Sequence, residues 1–228
     1  MSGETTVVVT GYGAWAKTAP NPAALVLRQL AAQSWPGCRL VPIEVPVKTT
    51  VLLSLVRDAL LAHRPAIWLG IGVAPGTVGV RGEMVGINWR DFDVPDNDDV
   101  TLDGVPIVEE GAAAHFSTLP IRAMVEAIQA EDIPASVSYA AGTHLCNQML
   151  YTSLHLVDRH GLETRCGFLH VPYTPELAAR LLAAEGPQPS MALADMSRAA
   201  RIAIERALAS LDTGLADSKA DARLQPAT

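Results

Sequence analysis

Three cysteines, Cys38, Cys146 and Cys166, are available for nucleophilic chemistry. Cys146 stands apart by its surroundings. The segment before it, Ala135–Ala141, is short, apolar and rich in small residues, like a buried strand. The segment after it, Asn147–Val157, carries apolar residues at 149, 150, 154, 156 and 157, like a packed helix. Gly142 and Thr143 punctuate the change. A cysteine there stands at a helix N-terminus, where free N–H groups and the helix dipole favour a thiolate and can hold an oxyanion. Taken alone, this pattern fits a core residue as well as a nucleophile. Cys38 follows a Pro-Gly turn and Cys166 begins a strand, and both read as small core residues.

A thiol nucleophile needs a base and a group that orients the base. Of the six histidines, His170 lies at the carboxyl end of the apolar strand Gly167–Pro172, on the same rim as Cys146. His63 reads as a helix-end cap, His155 and His160 as exposed residues of the helix after Cys146, and His115 as a residue near a helix entry. His144, two residues before the cysteine, reads as a pocket wall. Glu83 is the orienting carboxylate. It sits in the apolar stretch Val80–Asn88, where burial demands a partner; an ion pair with Arg81 or Arg90 is the alternative. Asp91, Asp93, Asp96, Asp98 and Asp99 read as a solvated turn, with Asp93 flanked by Phe92 and Val94. Gly70-Ile-Gly-Val-Ala-Pro-Gly76 and Gly11-Tyr-Gly13 fail the dinucleotide spacing, and there is no Walker A lysine.

The elements that must position these groups alternate. A strand at Thr6–Thr10 leads to a helix from Pro22 to about Gln33, a strand at Arg39–Val45, a helix at Thr49–Ala62 and a strand at Ala66–Gly72. Met84–Arg90 reads as a strand returning across an edge, and Asp91–Ala114 as an acidic excursion with a small hairpin. Helices at Pro120–Glu131 and Ser190–Leu211 follow, with Thr174 capping a third that begins at Pro175. Hydrophobic residues make up 49% of the 228 and aromatics only 5%, so aliphatic side chains must fill the core. Together these predict a three-layer α/β/α sandwich with a mixed, mostly parallel sheet, as one domain over 1–211, with a polar tail over 212–228. The net charge of −7, without a basic stripe, argues against nucleic acid. No segment reads as a signal peptide or membrane span. An odd cysteine count without CxxC spacing predicts a reducing cytoplasm, no disulfide framework and no zinc site.

Read together, several stretches resemble the pyroglutamyl peptidase I (pyrrolidone-carboxylate peptidase) family over about Val7–Leu208. They are Val9–Gly13 with Asn21-Pro22, Glu83–Asn88, Pro95–Asn97, Phe116–Ile121, Ala141–Asn147 with Tyr151, Gly167–Pro175 and Ser190-Met191. The resemblance implies a cysteine peptidase that removes an N-terminal pyroglutamyl residue, with Cys146, His170 and Glu83 as its triad. It further implies a cytoplasmic homo-oligomer, tetramer or dimer, needing no metal or organic cofactor. The substrate pocket it implies is formed by Tyr12, Trp15, Asn21, Val73, Asp93, His144 and Leu145. Several of these depart from the family pattern. Tyr12 and Trp15 stand for phenylalanines, His144 for a phenylalanine, Val73 for a glutamine and Asp93 for an arginine, while Pro75-Gly-Thr77 replaces a Gly-Gly-Arg. Buried polar groups at Tyr12, Asp93 and His144 would favour a substrate that satisfies them. Two substrate classes follow, a pyroglutamyl peptide and another small cyclic or N-acyl amide. A non-catalytic binding module and a nucleoside-type phosphorylase are weaker readings, the latter lacking a phosphate site.

Overall fold

The β-branched runs of the chain stack into one six-stranded sheet of order β2-β1-β3-β10-β4-β9. The computed structural model describes residues 4–15 and 18–213. Strands β1 (Thr5–Tyr12), β2 (Cys38–Val45), β3 (Ile67–Val73) and β10 (Arg165–Val171) run parallel to one another. β4 (Val80–Glu83) joins β10 antiparallel, and β9 (Ala135–Ser138) lies parallel to β4 at the edge. The sheet is therefore mixed and mostly parallel, as expected. β3 is apolar on both faces because helices cover both.

Alternation along the strands sorts the core into two layers. Val7, Val9, Leu69, Ile71, Leu169 and Val171 face helices α1 (Pro22–Ala31), α3 (Ile121–Gln129) and α6 (Leu193–Thr213). Val8, Trp68, Cys166 and Phe168 face α2 (Thr49–His63) and α4 (Leu145–His160). Helix α5 (Pro175–Glu185) starts at a Thr174 cap, whose hydroxyl accepts from Leu177 N–H. Asn21 caps α1 in the same way, accepting from Ala23 N–H with Pro22 at the first helical position.

Several local expectations are corrected. The stretch expected as one strand over Met84–Arg90 is broken. β4 ends at Glu83, and the chain then leaves the main sheet. β5 (Val85–Ile87) pairs with β8 (Ala114–Phe116), and β6 (Arg90–Phe92) pairs with β7 (Leu102–Val105) as the expected hairpin. The supposed buried strand before Cys146 is the half-exposed edge strand β9. His115 lies on β8, away from a helix entry. His155 is half-buried, its ring stacked on Tyr151 at 5.8 Å. Helix α6 runs to Thr213, and positions 214–228 of the expected tail lie outside the described residues.

Asp96 is not part of a solvated turn. Only 4% exposed, it accepts from Thr49 N–H at 2.7 Å and so caps α2. Its other oxygen accepts from the N–H groups of Asp98 and Val100. Burial alone would raise the carboxyl pKa, but these hydrogen bonds and nearby His144 outweigh it and hold it below the ordinary value. The stability this carboxylate supplies is present above the unfolded pKa of about 3.9 and is lost as pH falls through the lower folded value. Asp96→Ala should cost about 1–2 kcal/mol in urea denaturation at pH 7. The difference from wild type should shrink as pH falls below about 4, because wild type then loses the same interaction.

Candidate active site

Helix α4 begins on the sheet rim with His144 at its N-cap and Cys146 in its first turn. His144 makes no side-chain cap hydrogen bond, so the leading N–H groups keep their donor capacity toward the cavity. Cys146 rests on β3. A Cβ added at Gly72 would lie 2.6 Å from Cys146 Sγ and 2.8 Å from the Phe168 ring, so only glycine admits the thiol there. Gly70 makes the same allowance for Phe168, whose ring would come within 2.4 Å of an added Cβ. The glycines that fail as a nucleotide loop therefore seat the sulfur and the ring beneath it.

Gly72 is also the register partner of His170 on β10, which places the imidazole beside the thiol. His170 is 6% exposed, and its Nδ1–H donates to Glu83 Oε1 at 2.8 Å. Glu83 is fully buried and reaches His170 from the neighbouring antiparallel strand; its ion-pair partner is that imidazole and not Arg81 or Arg90, which was the alternative. It is not on the rim. Glu83 pairs with Phe168, two residues inward from His170, so the three groups descend from solvent into the interior. Burial opposes a charged imidazole, but the Cys146 sulfur and the Glu83 carboxylate overcome that and lift the His170 pKa to about 9. The other two cysteines are buried and do not line the cavity. Cys166 has no exposed surface, and burial pushes its thiol up to about 12 against a hydrogen bond from Ser153. Cys38 is buried at the start of β2, and its thiol is likewise raised by burial and then by Glu4.

In front of Cys146 and His170 opens a cavity of about 490 Å³, a size suited to a small ligand. All seven residues expected to form the pocket line it, but their roles differ. The Tyr12 hydroxyl donates to the Leu145 carbonyl at 2.6 Å, so it is not an unmet polar demand. Burial, with the charge of Cys146, raises its pKa, keeping it a donor. Asn21 is fully engaged, donating to the Gly13 carbonyl as well as capping α1. His144 packs between Phe92 at 4.2 Å and Trp15 at 5.3 Å, and its Nε2–H donates to the Val94 carbonyl. Burial lowers its pKa against that hydrogen bond and Asp96, so the ring is neutral and aromatic at neutral pH. Trp15 Nε1 donates to Pro95 O, and Asn97 donates to Ala14 O, pinning the first loop to the acidic turn. Asp93 is exposed at the rim.

Four contributors were not anticipated. Phe92 completes the aromatic wall; its position between two aspartates in an acidic stretch hid it. Arg81 enters the cavity from β4, although in the sequence it reads only as a partner for Glu83. Asp96 anchors the turn. Asn147, 1% exposed and adjacent to the thiol, donates to the carbonyls of Ile87 and Trp89 and accepts from Ile87 N–H. It thereby fastens the excursion to α4. A buried amide directly after a helix start was the available signal. Among the described residues no group of three or more His, Cys, Asp or Glu is placed to hold a metal ion.

A thiol at a helix N-terminus, backed by an imidazole and a buried carboxylate on a mostly parallel sheet, is the geometry of an α/β cysteine hydrolase. Comparison with known proteins narrows the class. Residues 5–210 match the family model described as pyroglutamyl peptidase, and the chain belongs to that family. It is 39% identical over 202 residues to a pyrrolidone-carboxylate peptidase of Enterobacter sp. strain 638, covering 89% of this chain and 92% of the relative. Identity to the Bacillus thuringiensis enzyme of that name is 34% over 200 residues, 88% of this chain and 91% of the relative. A mutant pyrrolidone carboxyl peptidase from the hyperthermophile Pyrococcus furiosus superposes with a TM-score of 0.87 at 30% identity, covering 91% of this chain and all (100%) of that one.

Iodoacetamide should alkylate Cys146 while sparing Cys38 and Cys166, as read by peptide mass mapping. Gly72→Ala should displace the thiol from His170 and slow that alkylation by about tenfold or more near pH 7, because the imidazole would no longer take the thiol proton. Equal reactivity of all three thiols would contradict the site.

Proposed function

We propose that this chain hydrolyses the amide bond that follows an N-terminal pyroglutamyl residue, with Cys146 as nucleophile, His170 as general base and acid, and Glu83 as orienting carboxylate. The observation that carries this reading is the Cys146–His170–Glu83 series opening onto a cavity walled by Tyr12, Trp15, Phe92 and His144. A flat lactam ring fits between aromatic faces, and family membership supports the same chemistry.

The step sequence follows from the geometry. The thiol proton passes to His170 Nε2, because Nδ1 is committed to Glu83. The sulfur attacks the pyroglutamyl carbonyl, and the α4 N–H groups hold the resulting oxyanion. The tetrahedral adduct expels the amine, which takes the proton from His170 and leaves a thioester. Water then attacks the thioester carbonyl, giving its proton to His170, and the thiolate departs and recovers that proton. Glu83 keeps the imidazole in one tautomer throughout and stabilises the imidazolium. The reading extends to a reducing cytoplasm, consistent with free cysteines at 38, 146 and 166, and to a homo-oligomer. No helix among the described residues is long and apolar enough to cross a membrane.

The direct test is release of aminomethylcoumarin from its pyroglutamyl amide. Cys146→Ser should abolish turnover, and loss of nothing on that substitution would sink the assignment. The alkaline limb of kcat/KM should fall near pH 9, as His170 loses the proton destined for the leaving amine. Glu83→Gln removes a charge that raises the His170 pKa. Its alkaline limb should therefore move to lower pH, with kcat reduced by about 10²–10⁴-fold. An unchanged pH profile in Glu83→Gln would show that the carboxylate has no such role.

A further inference from the structure

Arg81 is the one lysine or arginine among the described residues that lines the cavity in front of Cys146. In the β4–β10 pairing it stands directly opposite His170. Gly82 turns toward α3, where an added Cβ would meet Ile121, so its neighbours Arg81 and Glu83 project to the other face, that of His170 and Phe168. Arg81 is half-buried. Among the described residues its guanidinium has neither a hydrogen bond nor an ion pair. Other arginines are engaged: Arg28 with Glu44, Arg201 with Glu205 and Arg90 with the Pro106 carbonyl. Asp91 and Asp93 border the same cavity, yet neither comes within ion-pair distance of Arg81. A half-buried, unpaired guanidinium beside apolar walls is a receptor for a carboxylate, which it can hold by two parallel hydrogen bonds.

The position relative to the chemistry says which part of the substrate carries that carboxylate. His170 hands its proton to the departing nitrogen, so the leaving amino acid lies on the His170 side of the scissile bond. Arg81 stands on that side, one strand further on. The aromatic wall built from Tyr12, Trp15, Phe92 and His144 belongs to the acyl side. We propose that Arg81 is a specificity residue for the leaving side, selecting substrates whose departing amino acid bears a carboxylate close to the scissile amide. This inference rests on the pyroglutamyl peptidase reading and deepens it. Two sources supply such a group: the free α-carboxylate of a dipeptide, and the side chain of Asp or Glu following the pyroglutamyl residue in a longer chain.

The test measures kcat/KM of the full chain for pyroglutamyl-alanine, pyroglutamyl-alanine amide, pyroglutamyl-glutamate amide and pyroglutamyl-lysine amide. At least one carboxylate-bearing substrate should exceed the neutral alanine amide by about 10-fold or more, mainly through KM, and the margin should narrow with added salt. Preference for pyroglutamyl-alanine assigns the α-carboxylate, and preference for the glutamate amide assigns the side chain. Arg81→Gln should bring the ratio toward one, and Arg81→Lys should keep part of it. Because each ratio is taken on one preparation, a general loss of folded enzyme does not disturb it. A ratio near one in wild type, a ratio untouched by Arg81→Gln, or a preference for the lysine amide would overturn the assignment of Arg81 alone. Absence of turnover of all four substrates and of the coumarin amide would overturn the peptidase reading and this inference with it.

Discussion

A carboxylate without exposed surface donates no proton and accepts one hydrogen bond, from an imidazole on the adjacent strand. Glu83 and His170 hold each other in place across the single antiparallel joint of the main sheet. Neither would be tolerated there alone. A buried carboxylate without a partner is costly, and a buried imidazole left to burial alone would not keep its proton. Their hydrogen bond makes both affordable and points Nε2 of the ring at Cys146. Everything else in the site is arranged around that line: Gly72 clears the floor beneath the sulfur, and α4 brings its N-terminus over the rim.

The outer wall of the cavity is built differently. It comes from the long excursion between β4 and α3, which has no place in the main sheet. Its position is set by polar side chains reaching out of the helical layers. Asn147 fastens β5 and the start of β6 to α4, and Gln148 donates to the Thr49 carbonyl at the start of α2. Asp96 returns the favour by capping α2, and Trp15 and Asn97 close the first loop onto the same turn. The nucleophile's immediate neighbours in sequence therefore shape the wall that faces it, and the chemistry and the pocket share one helix turn.

Much of this was legible in the residues. The apolar runs at Val7–Val9, Ile67–Ile71 and Phe168–Val171 declare buried strands, and Pro22 and Pro175 with their Asn and Thr caps declare helix starts. Cys146 and His170 could be placed because a strand-to-helix junction and a strand end leave little choice of rim. The isolation of Glu83 among apolar residues points to its role and its burial, but not to its place two residues inward from the rim. Strand direction is a tertiary property, and nothing local in Val80–Glu83 says that it runs against β10. For the same reason the sequence relates Arg81 to nearby Glu83, whereas its partner across the sheet is His170. Asp96 and Asp93 look alike in a row of aspartates. Only the docking of α2 separates the buried cap from the rim charge. The Tyr12 hydroxyl reads as a pocket demand because its acceptor, the Leu145 carbonyl, lies on a distant segment.

Strand β4 carries a further consequence. Its residues alternate Val80, Arg81, Gly82, Glu83, and only the second and fourth face the thiol. A slip of one residue against β10 would turn both charged side chains onto the α3 layer, where even a methyl group at Gly82 would come within 2.7 Å of Ile121. The face of β4 toward α3 has no room for a side chain at Gly82. The same steric limit that fixes the strand's alignment therefore fixes the face on which its two charged side chains stand.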